Sequence, residues 1–155
     1  QVPWLFSAPV RDNVLMGLER EGEDLDEALR LAVLADDIAE FEQGLDTVIG
    51  PKGVKLSGGQ LQRTAAARMF VRDPELLVFD DLSSALDVET ERELWNRLFS
   101  RESFTCLAVS HRRTALSRAD SIVVMKDGRV EATGDLETLL SECDEMKRLW
   151  HGEVE

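Results

Sequence analysis

The chain has no tyrosine, two cysteines, four prolines and two histidines among its 155 residues. Cys106 and Cys143 are far apart, so neither a disulfide framework nor a metal knuckle can be read from them. Cys106 sits within the apolar run Phe104–Val109 and is expected to be a buried free thiol. No apolar stretch approaches the roughly 20 residues a membrane span needs, and no basic-then-apolar leader opens the chain. Bases are also scarce: 18 Lys and Arg face 31 Asp and Glu, for a net charge of −13. Residues 1–50 hold twelve acids against three bases, a net of −9, which leaves −4 for the remainder. Such a surface repels phosphate backbones and anionic lipid heads, which argues against nucleic acid as a partner. The acidic run Glu19–Asp26 reads as a solvated face. What remains is a soluble, cytosolic-style domain whose opening, Gln1-Val2-Pro3-Trp4, reads as the middle of something longer.

The first third reads as helices and loops. Pro9 ahead of Val10, Val14 and Leu15 predicts a short helix with Pro in its first turn and Gly17 as its stop. Asp26 is expected to cap a second helix with an apolar stripe of Leu29, Ala32 and Val33. A third is expected over Asp36–Gln43, ending at Gly44. From Leu56 the pattern turns to alternating helices and short apolar strands, hence an α/β class with a helical insertion ahead of the sheet. Gln60–Val71 reads as a helix ending at Asp73-Pro74, and Asp87 as the cap of a helix with Leu94, Trp95, Leu98 and Phe99 on one face. Leu76–Phe79 and Phe104–Val109 read as strands buried on both faces, as in a parallel sheet covered by helices. They end in Asp80-Asp81 and Ser110-His111, at the edge where open α/β sheets bind ligands. Asp127-Gly128 predicts a hairpin between Ser121–Lys126 and Arg129–Thr133, and Leu136–Leu140 and Asp144–Trp150 read as closing helices.

Leu56-Ser57-Gly58-Gly59-Gln60 is the most informative stretch. Adjacent glycines at a helix start let a phosphate approach bare backbone N–H groups, the helix dipole adds partial positive charge, and Ser57 brings a hydroxyl. Taken alone, Ser-Gly-Gly reads better as a plain capped helix start. Its place in a series changes that reading. Leu56–Gln60, a helix, Asp73-Pro74, an apolar strand ending in Asp80-Asp81, then Ser84-Ala85-Leu86-Asp87, then Ser110-His111 follow in one order. This series resembles the ABC ATPase family in its exporter form, over essentially the whole chain. Gln1–Ser7 is similar to the Q-loop segment, Leu56–Gln60 to the signature and Leu76–Asp80 to the Walker B strand. Ser84–Asp87 is similar to the D-loop and His111 to the switch histidine.

The resemblance implies a fold: part of a RecA-like P-loop NTPase with a parallel sheet and an α-helical signature subdomain. Residues 1–72 would form the Q-loop and helical subdomain, and 73–155 the second half of the ATPase core. It implies ATP and Mg²⁺ as cofactors. Ser57, Gly58, Gly59, Gln60 and Asp87 would bind nucleotide, Asp80 and Gln1 would serve the metal, and Asp81, His111 and Gln1 the catalysis. A carboxylate at a strand end suits Mg²⁺ held through its water shell near phosphates, and the two ring nitrogens of a histidine suit a γ-phosphate contact. His151 receives no role. The implied partners are a second ABC cassette, the same or a different one, and the membrane domain of a transporter. The implied place is the cytoplasmic face of the plasma or inner membrane.

A phosphate loop needs Gly, four residues, then Gly-Lys-Ser/Thr. Gly53–Gly58 has the first spacing, but Gly59-Gln60 follows it, so the match is false. The chain is therefore expected to lack the Walker A half and to be inactive alone. Three residues depart from the family pattern. Asp81 stands in place of the glutamate that polarises the attacking water, Pro51 in place of an acidic residue before the signature, and Ala8-Pro9 in place of Gly-Thr. The first points to the degenerate half of a heterodimer, or to a non-catalytic partner cassette. A non-transport ABC ATPase acting on DNA or chromatin is the alternative from another class. It fits poorly, because Gln1 to Leu56 leaves no room for a coiled coil and the surface is acidic.

Overall fold

The structure, a computed structural model, describes residues 3–20, 22–80, 85–101 and 104–152. Backbone packing groups the chain into two units, Gln1–Leu107 and Ala108–Glu155, each an α/β assembly of short elements. This grouping by packing is separate from the motif-based division at residues 72 and 73.

The first unit opens with β1 (Ala8–Pro9), which pairs antiparallel with β2 (Val48–Ile49), Ala8 opposite Ile49. Neither strand has a sequence signature, because two residues cannot show a period. Helix α1 (Val10–Leu15) starts after Pro9 as expected, and ends with Met16 and Gly17 both in the left-handed region, at φ 47° and 82°. Helix α2 (Glu23–Leu31) begins three residues earlier than the cap expected at Asp26, after Gly22 at φ 65°. No side chain caps it; Glu23, Asp24 and Asp26 instead place three carboxylates beside the positive end of the helix dipole. Helix α3 is also shorter than expected, Ala35–Ala39, with a separate 3-10 turn at Gly44–Asp46.

Asn13 is fully buried within α1. Its Oδ1 accepts from the Phe6 N–H at 2.8 Å, and its Nδ2 lies 3.0–3.2 Å from the carbonyls of Phe6, Ala8 and Pro9. From α4 (Gly58–Phe70), Arg68 donates to the carbonyls of Asn13 at 2.8 Å and Trp4 at 3.2 Å. Burial, and secondarily the neighbouring Arg72, lowers the pKa of that guanidinium. Two polar side chains thus help to fix the Trp4–Ser7 stretch that leads into β1.

Strand β3 (Leu76–Asp80) and helix α5 (Val88–Phe99) lie where the sequence places them, and β3 neighbours β4 (Thr105–Val109) in a two-stranded sheet. An aromatic series links α4, β3 and α5. Phe70 meets Phe79 edge-on at 6.4 Å, Phe79 meets Trp95 at 5.6 Å, Trp95 meets Phe99 at 5.8 Å and Phe99 meets Phe104 at 5.4 Å. The expectation that both strands are buried on both faces is corrected here. Leu77 and Phe79 are buried, whereas Leu76 is 49% and Val78 57% exposed, and Leu107 and Val109 are exposed as well. The physical reason is that the aromatic series and the helices carrying it cover the Phe79 side, and side chains alternate across a strand. Cys106 is half-buried rather than buried, and desolvation raises its thiol pKa.

Gly50 marks a close backbone approach in this unit. At φ 93°, a Cβ there would lie 2.8 Å from the Phe6 carbonyl carbon. Gly50→Ala is expected to destabilise the fold by about 2 kcal/mol, from left-handed strain and forced separation of the β1–β2 pair. The urea midpoint should fall accordingly at unchanged slope.

The second unit is a hairpin with helices packed on it. Strands β5 (Ile122–Lys126) and β6 (Arg129–Gly134) pair antiparallel across Asp127 and Gly128, both at positive φ as the short turn requires. Ile122 and Val124 pack with Leu139 of α7 (Leu136–Glu142), Met146 of α8 (Asp144–His151) and Cys143 between the two helices. Between β4 and the hairpin lies a short α6 (Arg113–Leu116), absent from the sequence reading because four residues carry no period. Its Arg113 stacks over the Trp150 ring at 5.1 Å and donates to the Trp150 carbonyl at 2.7 Å. No helix among the described residues is long and apolar enough to cross a membrane.

Candidate functional site

Ser57 is the N-cap of α4, and the cap is reciprocal. The Gln60 N–H donates to Ser57 Oγ at 3.2 Å, and the Ser57 N–H donates to Gln60 Oε1 at 3.0 Å. Both bonds join the second and fifth residues of the motif. The N–H groups of Gly58 and Gly59 stand at the exposed helix start, where no preceding turn can supply acceptors. Gln60 is itself tethered: its Nε2 donates to Asp37 Oδ1 at 2.8 Å. Thr64 Oγ1 donates to the Gln60 carbonyl at 2.7 Å.

The two glycines differ in what the fold demands of them. A Cβ on Gly58 would meet only the Ala85 Cβ at 3.5 Å, an ordinary contact. On Gly59 it would lie 3.2 Å from the Ala85 carbonyl, a tight one. Ala85, whose N–H donates to Gln62 Oε1 at 3.2 Å, thus lies with Leu86 against the start of α4. Asp87 caps α5 with both oxygens. Oδ1 accepts from the N–H groups of Thr90 at 2.9 Å and Glu89 at 3.1 Å, and Oδ2 accepts from Thr90 Oγ1 at 2.7 Å. The Thr90 N–H, followed by its hydroxyl, lowers the Asp87 pKa, so the carboxylate stays charged at neutral pH.

Asp80 ends β3 with its side chain exposed. His111 follows β4 in the second unit and is also exposed; just before it, Ser110 Oγ accepts from the Arg112 N–H at 3.1 Å. Ser57, Gly58, Gly59 and Gln60 are therefore gathered at one helix start, with Ala85 beside them. Gln1, Asp81 and Ser84 lie outside the described residues. His151 ends α8, away from any motif.

The donor set fits the implied groups. Two unengaged N–H groups at the start of a 13-residue helix, next to a serine hydroxyl, suit a phosphate oxygen. One exposed strand-end carboxylate suits Mg²⁺, which keeps most of its waters and takes few protein ligands. Among the described residues no three acidic, histidine or cysteine side chains converge as a cage for a metal. Sequence reasoning missed Asp37, Arg63 and Asn13. Asn13 left a trace, as a polar residue between Val10 and Val14 on an apolar stripe. Asp37 left none, since it meets Gln60 only across 23 residues of chain.

No protein-family model matches the chain. Among curated proteins it is 42% identical over 137 residues to P-glycoprotein 14 of Caenorhabditis elegans, covering 87% of this chain and 10% of that protein. It is 38% identical over 152 residues to the heterocyst differentiation ATP-binding protein HepA of Nostoc, covering 97% of this chain and 24% of that protein. An ABC transporter ATP-binding protein of Bacillus subtilis, YwjA, is 40% identical over 139 residues, covering 88% and 24%. The chain thus spans between a tenth and a quarter of the length of these relatives. Among solved structures, a bacterial Atm1-family ABC exporter with ATP bound superposes with a TM-score of 0.88 at 32% identity, over 100% of this chain and 27% of that one. Together with the capped Ser57–Gln60 helix start, these likenesses place the chain in the family of ABC transporter ATP-binding proteins, of which it matches the ATP-binding part.

Proposed function

We propose that this chain is part of the motor of an ABC exporter, in which ATP hydrolysis at paired cassettes drives transport through a membrane domain. The observation that carries the reading is the start of α4. Ser57 and Gln60 satisfy each other, which leaves the N–H groups of exposed Gly58 and half-buried Gly59 at the helix start for a ligand. In this reading β3 and β4 run parallel in a RecA-like core, joined by α5, and residues 1–72 form the Q-loop and helical signature subdomain. The motor works at the cytoplasmic side of the membrane.

Bound Mg-ATP supplies the phosphoanhydride bond and the charge to be stabilised. The protein groups then divide the work. Ser57, Gly58 and Gly59 present a hydroxyl and two N–H donors to the γ-phosphate held by the opposite cassette, an arrangement that stabilises negative charge without reorganising. Gln60 orders that helix start. Asp80 and Gln1 would hold the metal, which would offset charge on the phosphates, and His111 would orient the γ-phosphate. Asp81 positions the attacking water, and Asp87 fixes the stretch that lies beside the signature. The 155 residues contain no Gly-x4-Gly-Lys-Ser/Thr pattern, so the main phosphate contacts to this cassette's own nucleotide come from residues other than these.

Asp81 favours a second, narrower reading, the slow half of a heterodimer. Its side chain is one C–C bond shorter than glutamate, about 1.5 Å, and a general base must come within hydrogen-bond reach of its water. The test uses the full polypeptide with its partner cassette, whose own glutamate is changed to Gln. MgATP hydrolysis by the unmodified pair, lost without Mg²⁺, is the result expected of a motor; no hydrolysis overturns the reading. In the silenced pair Asp81→Glu is expected to raise the residual rate several-fold. An unchanged or slower rate overturns the slow-half reading alone.

A further inference from the structure

We infer that Asp37, on α3, is a positioning residue for the signature, acting through the side chain of Gln60; the inference rests on the motor reading for its functional consequence. The carboxylate and its partner are sheltered, with side-chain exposures of 19% for Asp37 and 13% for Arg63. Asp37 Oδ1 accepts from Gln60 Nε2 at 2.8 Å and from Arg63 Nη2 at 3.3 Å, while Oδ2 accepts from Arg63 Nη1 at 2.6 Å. Arg63 also donates to the Val33 carbonyl. Val33 is a β-branched residue at φ 54°, a conformation such residues avoid. The same guanidinium therefore holds both the carboxylate and the strained joint between α2 and α3 that delivers it.

The chemical consequence lies in the amide of Gln60. A primary amide has a donor end and an acceptor end of nearly equal size, and only its partners decide which way it points. Here a carboxylate, which can only accept, faces one end, and the Ser57 N–H, which can only donate, faces the other. Asp37 thus fixes Nε2 toward itself and Oε1 toward Ser57. Without the carboxylate the amide is free to turn, and the Ser57 N–H loses its acceptor. The residue that presents its hydroxyl and the two glycine N–H groups to a phosphate then loses one of its two ties to the helix. Arg63 and Asp37 touch no ligand in this scheme, and their role is exerted through Gln60.

The experiment uses the full polypeptide and its partner cassette, unmodified and as Asp37→Ala, Gln60→Ala and the double variant. Two quantities are read: the rate of amide hydrogen exchange at Ser57, and the ATP concentration that half-saturates hydrolysis at the opposite site. Asp37→Ala is expected to speed exchange at Ser57 about tenfold and to raise the half-saturating ATP concentration several-fold. Adding Gln60→Ala is expected to change either quantity little further, since both substitutions remove the same tie. Unchanged exchange at Ser57, or effects of the two substitutions that multiply, overturns the inference. Should Asp37→Ala fail to fold, Asp37→Leu keeps the bulk and removes the acceptor, and the same two outcomes decide. If the unmodified pair does not hydrolyse ATP, the motor reading fails, and the exchange rate at Ser57 still decides the positioning claim.

Discussion

Asn13→Ala is expected to lower the stability of the fold by about 4 kcal/mol, more than any surface change in the same unit. Four hydrogen bonds converge on this one fully buried amide, from the Phe6 N–H and to the carbonyls of Phe6, Ala8 and Pro9. Each is worth roughly 1 kcal/mol net, and a buried group left without a partner costs roughly 1–3 kcal/mol. Phe6 itself is half exposed, so its backbone regains some water, which keeps the estimate well below the sum of full penalties. Asn13→Asp is expected to be nearly as harmful, because a carboxylate cannot donate to three carbonyls and is repelled by them. Denaturant unfolding monitored by the emission of Trp4 and Trp95 checks both. A loss below about 1 kcal/mol for Asn13→Ala would mean that water replaces the amide and that the Trp4–Pro9 segment is held by Arg68 alone.

The parts of the fold that sequence made legible are those whose cause is local. Ser57 caps α4 and Asp87 caps α5 because each acceptor lies within three residues of the N–H it receives. Asp127-Gly128 turns the hairpin because two consecutive positive φ values are needed there. The failures have equally specific causes. Leu76–Phe79 is an unbroken apolar run, which suits a strand covered on both faces; nothing in the run itself says whether the second cover lies nearby. Asp26 has the chemistry of a cap, but so do Glu23 and Asp24 have the chemistry of a first turn, and Gly22 supplies the entry conformation upstream. Ser57–Gln60 was legible as a motif and a capped helix start, whereas what orients Gln60 was not. Asp37 reaches Gln60 over 23 residues of chain and Arg68 reaches Trp4 over 64, and no period in the sequence encodes such a meeting.

Gly58 separates what the fold requires from what a phosphate requires, and two substitutions there are expected to diverge. Its backbone is not in the left-handed region, and a Cβ would meet the Ala85 Cβ at an ordinary 3.5 Å, so the folded chain itself has room for alanine. Glycine at a helix position is about 0.5–1 kcal/mol less favourable than alanine. Gly58→Ala should therefore leave stability unchanged or slightly raised. In the proposed motor the glycine serves close approach: a phosphate oxygen accepting from the Gly58 and Gly59 N–H groups must come within hydrogen-bond distance of bare backbone. A methyl group on that path lengthens the contact, and Gly58→Asp adds a negative charge facing another. Loss of one charge-stabilising donor costs about a hundredfold to a thousandfold in rate. In the paired cassettes Gly58→Asp is expected to slow hydrolysis at the opposite site by at least about a hundredfold, with Gly58→Ala intermediate. Nucleotide binding at this cassette's own phosphate loop should survive both. Thermal melts alongside site-resolved nucleotide trapping make the comparison. A fall in melting temperature that parallels the loss of rate would mean that Gly58 serves the fold, and trapping lost at this cassette's own site would mean that the motif acts within its own cassette.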